Sequence, residues 1–110
     1  MYARVTEWDG VTTAEIDRDL SYAREEVVPK VEEIPGMCGM LVLVDRENGR
    51  STSITLYHDE QSLEDSRDAA RMLRQMMEQR MDLRKPCTVK ELEVGIATLN
   101  ASSLGLPAQV

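Results

Sequence analysis

His58 is the single histidine of the chain and directly follows Tyr57, where an alternating segment gives way to residues suited to capping a helix. A neutral imidazole at such a corner can take a proton from a phenol near pH 7 without special tuning, and the neighbouring phenolic group can position a hydroxyl. Tyr57 and His58 are therefore the candidate catalytic residues. The competing role for His58 is to cap or solvate that corner. Arg4, Thr6, Trp8 and Tyr22 are the candidate substrate-binding residues. Trp8, Tyr22 and Tyr57 offer ring faces to an aromatic molecule, and core packing is their alternative use. Arg4, if it points inward, is a buried cation that needs a carboxylate. Glu93 on the last strand or an anionic ligand could supply it, with the internal partner preferred.

Other residue types carry weaker signals. Met72, Met76, Met77 and Met81 crowd one helix in a chain without phenylalanine, which suits core filling as well as an adaptable pocket. Cys38 and Cys87 stand far apart with no clustered histidine, so no zinc or redox motif is formed and no metal is expected. Both cysteines are read as reduced packing residues. They are expected to open strands at the same end of the sheet on opposite edges, roughly 14 Å apart, too far for an internal disulfide. No phosphate-binding glycine loop, paired catalytic carboxylates or nucleophile motif is present.

The elements that must position these groups follow from periodicity. Tyr2 to Trp8 alternates with strand-forming residues and is broken by Asp9-Gly10. From a cap at Thr12 or Thr13, with Glu15 close behind, Ile16, Leu20, Ala23, Val27, Val31 and Ile34 mark one helical face. Pro29 falls inside that stretch and predicts a kink or break near residues 24–28. Met37 to Val44 and Arg50 to His58 form strands joined at Asn48-Gly49. Asp59 or Ser62 caps a helix over Leu63 to Met81, whose inner face is Leu63, Ser66, Ala70, Leu73, Met77 and Met81, and Pro86 stops it. Thr88 to Thr98 is the fourth strand, with Leu92, Val94 and Ile96 on one side. This is an α+β, βαββαβ order: two helices cover one face of a four-stranded antiparallel sheet with strand order 4-1-3-2. The other face stays open and the apolar second strand, Met37 to Val44, forms an edge, so a second copy is expected to cover it.

Length and charge bound the rest. The 110 residues suit one domain, placed at 1–99, followed by a tail at 100–110. A formal charge of −7 argues against a nucleic-acid partner, since phosphate binding rests on Lys and Arg. Residues 7–33 carry nine acidic against three basic residues, and residues 67–85 three against six, which places complementary helices side by side. No apolar run reaches membrane-span length and the first residues do not form a signal segment. A cytoplasmic protein with no membrane partner is expected.

Three stretches are similar to one family: ARVT in the first strand, IPGMCGMLVLVDRENGRSTSITLYHDEQSLEDS through the hairpin into the second helix, and ELEVGIA in the last strand. They resemble the dimeric α/β-barrel, ferredoxin-like proteins, in particular the group of antibiotic-biosynthesis monooxygenases. The resemblance implies a homodimer, a pocket between helices and sheet, and a small aromatic or apolar ligand. It implies a monooxygenase that needs no cofactor and oxidises an aromatic, quinol or polyketide-like molecule through a carbanion that reduces oxygen. The same fold also serves non-catalytic ligand-binding or regulatory dimers, and that alternative stays open. Members often end the third strand on Trp, where this chain has Tyr57, and several carry a catalytic Asn in the first strand that YARVTEW lacks. Haem-degrading members hold iron through a histidine on the second helix, and residues 62–81 contain none.

Overall fold

The computed structural model describes residues 1–10, 12–80 and 87–100. Its elements run β1 (Tyr2–Asp9), α1 (Thr13–Tyr22), a π-helical turn (Ala23–Val27), α2 (Val28–Glu32), β2 (Met37–Asp45), β3 (Arg50–Tyr57), α3 (Glu60–Asp65), α4 (Arg67–Arg80) and β4 (Thr88–Glu93). The strands form one antiparallel sheet in the order β2-β3-β1-β4, the expected βαββαβ topology. Among the described residues, no helix is long and apolar enough to cross a membrane.

Local chemistry explains the boundaries. Thr12 caps α1 through a reciprocal capping box with Glu15, satisfying two amides that the first turn leaves unpaired. Pro29 lacks an amide hydrogen, and the helix widens just before it: the Val28 N–H bonds to the Ala23 carbonyl, five residues back. The expected kink is thus a π-turn at residues 23–27. Asp59, not Ser62, caps α3, accepting from the Ser62 amide at 2.7 Å.

The single helix expected over Leu63 to Met81 is interrupted at Ser66. There the Leu63 carbonyl accepts from Ser66 Oγ at 2.7 Å and from Arg4 Nη2 at 3.1 Å. The inner face nevertheless holds, with Leu63, Ser66 and Ala70 buried and Leu73 and Met77 packed on the two core clusters. Met81 and Pro86 lie outside the described residues, as does the tail beyond Asn100. β4 ends at Glu93 rather than Thr98, because Glu93 pairs with Tyr2 at the start of β1; Ile96 is 90% exposed.

The register sorts side chains by face. Arg4, Thr6, Trp8, Val42, Val44, Ser53, Thr55 and Tyr57 point to the helices. Ala3, Val5, Leu41, Leu43, Ile54, Leu56 and Leu92 point away from them. A bulge at Cys38, between Met37 and Gly39, sets this phase for β2. Cys38 lies at the end of the sheet where β1 begins, whereas Cys87 precedes Thr88, the partner of Glu7 near the end of β1. The expectation that both cysteines share one end is therefore corrected: β2 and β4 run in opposite directions, so they open at opposite ends. Both thiols are free.

Gly36 turns the chain from α2 into β2 at φ +82°, and a Cβ there would overlap Cβ and Oγ of Ser62. Gly36→Ala is expected to cost more than the roughly 1–2 kcal/mol of a left-handed alanine alone. Gly10→Ala, at φ +81° with open space around it, should show only that backbone cost. Urea denaturation of both variants checks the difference.

Candidate functional site

Between the inner sheet face and the helices lies a cavity of about 110 Å³, lined largely by apolar groups and by a few polar ones. That is on the order of the space a single aromatic ring fills. Its walls include the flexible chains of Met40, Leu73 and Met77, which can yield to a larger ligand. Of the methionines on the second helical segment, Met77 lines the cavity, while Met72 is 66% exposed.

At one side stands a tightly bonded cluster around Arg4, which is 3% exposed. Its Nη1 donates to Tyr57 Oη at 2.8 Å and to Ser66 Oγ at 3.0 Å; its Nη2 donates to Glu91 Oε2 at 3.0 Å as well as to the Leu63 carbonyl. The buried cation has its carboxylate, but from Glu91 and not from Glu93. The register decides this, since Arg4 lies opposite Glu91 and Glu93 lies opposite Tyr2. Arg67 grips the same carboxylate, with Nη2 at 2.8 Å from Oε1. Hydrogen bonds from Arg67, then from Arg4, hold the Glu91 carboxyl below its ordinary titration range against the opposing effect of burial. Arg4 is thus occupied by protein acceptors, and its evident work is to fix Tyr57, which is 1% exposed and accepts Arg4's bond.

Thr6 and Trp8, both buried, line the cavity with Tyr57, and Trp8 packs on Ile16. Tyr22 does not line it: its ring lies 5.3 Å from the Arg80 guanidinium carbon. His58 does not line it either. Strand alternation that turns Tyr57 inward turns His58 outward, and its side chain is exposed while its amide bonds the Gly36 carbonyl at 3.0 Å. The imidazole is therefore not positioned to reach a molecule in the cavity.

Two cavity residues escaped the sequence reading. Asp19 on α1 is 5% exposed, and neither of its carboxylate oxygens has a hydrogen-bond partner. Arg18 Nε approaches its Oδ1 at 3.6 Å, beyond hydrogen-bond range. Burial raises the Asp19 pKa above the ordinary aspartate range, with Arg18 acting in the opposite direction. Arg74 on α4 likewise has a buried Nη1 without a partner, and burial followed by the nearby Arg4 charge lowers its pKa. A signal for both was present. Asp19 sits three residues after Ile16 and four before Ala23, and Arg74 sits four after Ala70 and three before Met77, so each interrupts an apolar helical stripe. Among the described residues, no group of acidic, His and Cys side chains is arranged to hold a metal ion.

No family model matches the chain. An uncharacterised protein of Mycobacterium tuberculosis is 30% identical over 67 residues, which is 61% of this chain; the match spans 30% of that protein's length. Solved structures match over nearly the whole fold. A monooxygenase of Streptomyces coelicolor in complex with nanaomycin D has a TM-score of 0.70 at 17% identity, covering 90% of this chain and 91% of that one. A dimeric ferredoxin-like protein from an uncultured marine organism has a TM-score of 0.67 at 9% identity, covering 91% and 100%. A mutant of SnoaB, a cofactor-independent oxygenase from Streptomyces nogalater, has a TM-score of 0.61 at 12% identity, covering 87% and 94%. The chain has the ferredoxin-like fold of the antibiotic-biosynthesis-monooxygenase-like proteins.

Proposed function

We propose that this protein is a cofactor-independent monooxygenase of the cytoplasm, working as a homodimer on an aromatic, quinol or polyketide-like molecule held in the cavity. The observation that carries the reading is the cavity itself: an apolar space beside buried aromatic rings, with polar atoms on Asp19 and Arg74 that the protein leaves unbonded. Such groups are costly to bury alone and are satisfied by a polar aromatic ligand. Two fold neighbours, a monooxygenase in complex with nanaomycin D and a cofactor-independent oxygenase, support the reading.

In the proposed reaction, a base takes a proton from an activated ring-bound CH₂ and leaves a carbanion. The carbanion passes one electron to oxygen, the carbon radical and superoxide combine to a peroxide anion that takes the proton back from the base, and loss of water from the hydroperoxide leaves a carbonyl. The balance is CH₂ + O₂ → C=O + H₂O. Tyr57, held by Arg4, directs its hydroxyl proton to a substrate oxygen, while Trp8 and Thr6 bound the ring.

Oxygen uptake by the purified protein, with chelator present and no flavin added, tests this against a panel of quinols and anthrones. Substrate-dependent uptake at one O₂ per molecule is expected, with roughly a tenfold loss in Tyr57→Phe. The exposed position of His58 favours a second reading, a non-catalytic ligand-binding dimer. A ligand that stabilises the protein yet survives incubation unchanged under air would establish that reading and end the first.

A further inference from the structure

The outward position of His58 leaves the proposed chemistry without the base that the sequence offered, while the cavity wall holds a buried carboxylate whose oxygens accept no hydrogen bond. Asp19 is 95% buried by its 5% exposure, both oxygens are unbonded, and it shares the cavity with the unbonded Nη1 of Arg74. The two side chains do not pair with each other: the ion pair formed by Asp19 is with Arg18. An apolar chamber whose wall carries carboxylate oxygens and a guanidinium Nη1 without hydrogen-bond partners recognises a molecule that offers an acidic hydrogen to one and an oxygen to the other.

We propose that Asp19 is the general base of this site and Arg74 its oxyanion-stabilising group, so that the ligand is an aromatic ketone or phenol with an activated C–H or O–H beside an oxygen acceptor. The inference rests on the reading above of a substrate held and deprotonated in the cavity, and specifies its chemistry. Asp19 takes the proton, the C–H electron pair moves onto the carbonyl carbon–oxygen unit as an enolate, and the Arg74 N–H donates to the enolate oxygen. No oxidant enters this step. Burial favours proton acceptance by Asp19, and the charged groups that act on it are Arg18 and Glu15 on α1 and Arg80 on α4. Protonation of Asp19 in acid should therefore silence the site at a higher pH than an exposed aspartate would.

The test uses 2-tetralone, whose CH₂ lies between a ring and a carbonyl, incubated with the protein in D₂O under nitrogen and followed by proton NMR. The wild type should bind the probe and accelerate exchange at that CH₂ above the buffer rate. Asp19→Asn should lower the protein-dependent rate at least about 100-fold and Arg74→Met about tenfold. Asp17→Asn, on the exposed side of α1, should leave it unchanged. Asp19→Asn should be at least as stable as the wild type at pH 7, because the raised pKa means that the ionised side chain disfavours the folded state there. Loss of exchange is then not loss of fold. Equal exchange in Asp19→Asn, or a wild type that fails to bind the probe or to accelerate its exchange, overturns the assignment. Exchange without oxygen uptake on admitting air would instead overturn the oxygenase reading and leave the base in place.

Discussion

Glu91→Gln is expected to lower stability by about 2–3 kcal/mol at pH 7, a fall in melting temperature of roughly 10 °C. Arg4 is almost wholly buried, and Glu91 is the carboxylate that pairs with it. Removing the negative charge leaves a guanidinium in the interior without a counter-ion, which costs far more than the hydrogen bond alone. The pH dependence has a definite sign. Because Arg67 and Arg4 hold the folded pKa of Glu91 below its unfolded value, the stabilisation is complete above the unfolded value and is lost as pH falls through the folded one. The wild-type and variant stability curves should therefore converge in acid. Glu93→Gln, two residues along the same strand, should stay within about 0.5 kcal/mol of wild type. Thermal denaturation of the three proteins from pH 7 downward decides it; equal effects at Glu91 and Glu93 would remove the Arg4 pairing from the account.

That contrast also shows where sequence reasoning stops. Alternation reveals which residues of β1 and β4 share a face, and Arg4 was legible as an inward cation in need of a carboxylate. Choosing between Glu91 and Glu93 needs the register, which follows from how Tyr2 meets Glu93 across the ladder. The same logic separates Tyr57 from His58. Adjacent residues of an extended strand point to opposite faces, so only one of the pair can look into the cavity, and the apolar phase of the sheet gives it to Tyr57. The helix positions show the converse: Asp19 and Arg74 escaped the sequence reading, although their spacing put them on the apolar stripe. The order of elements, the hairpin at Gly49 and the break before Pro29 were legible because each rests on local backbone chemistry. Pairing across the sheet and closure of the cavity are long-range consequences of packing.

The outer face of the sheet carries the other large prediction. Cross-strand rows place Leu41, Ile54, Val5 and Lys90 side by side, next to a row of Gly39, Leu56, Ala3 and Leu92. Leu41, Leu43 and Leu92 are 42%, 52% and 51% exposed in the single chain, an apolar surface opposite the helical layer. Burying each half-exposed leucine is worth roughly 1 kcal/mol, and a contiguous patch of this kind is characteristic of an interaction surface. A second copy presenting the same face would satisfy it with a closed two-fold arrangement and would cover the apolar edge at β2. Wild-type protein is thus expected to sediment as a dimer at micromolar concentration. In Leu41→Lys a charge on that face would have to be desolvated in the interface, at a cost of several kcal/mol, whereas in a lone chain it would point into water at a cost of about 0.5 kcal/mol. The variant should therefore sediment as a folded monomer with its helical circular-dichroism signal intact. A wild type that is monomeric, or a variant that remains dimeric with unchanged affinity, would put the interface elsewhere.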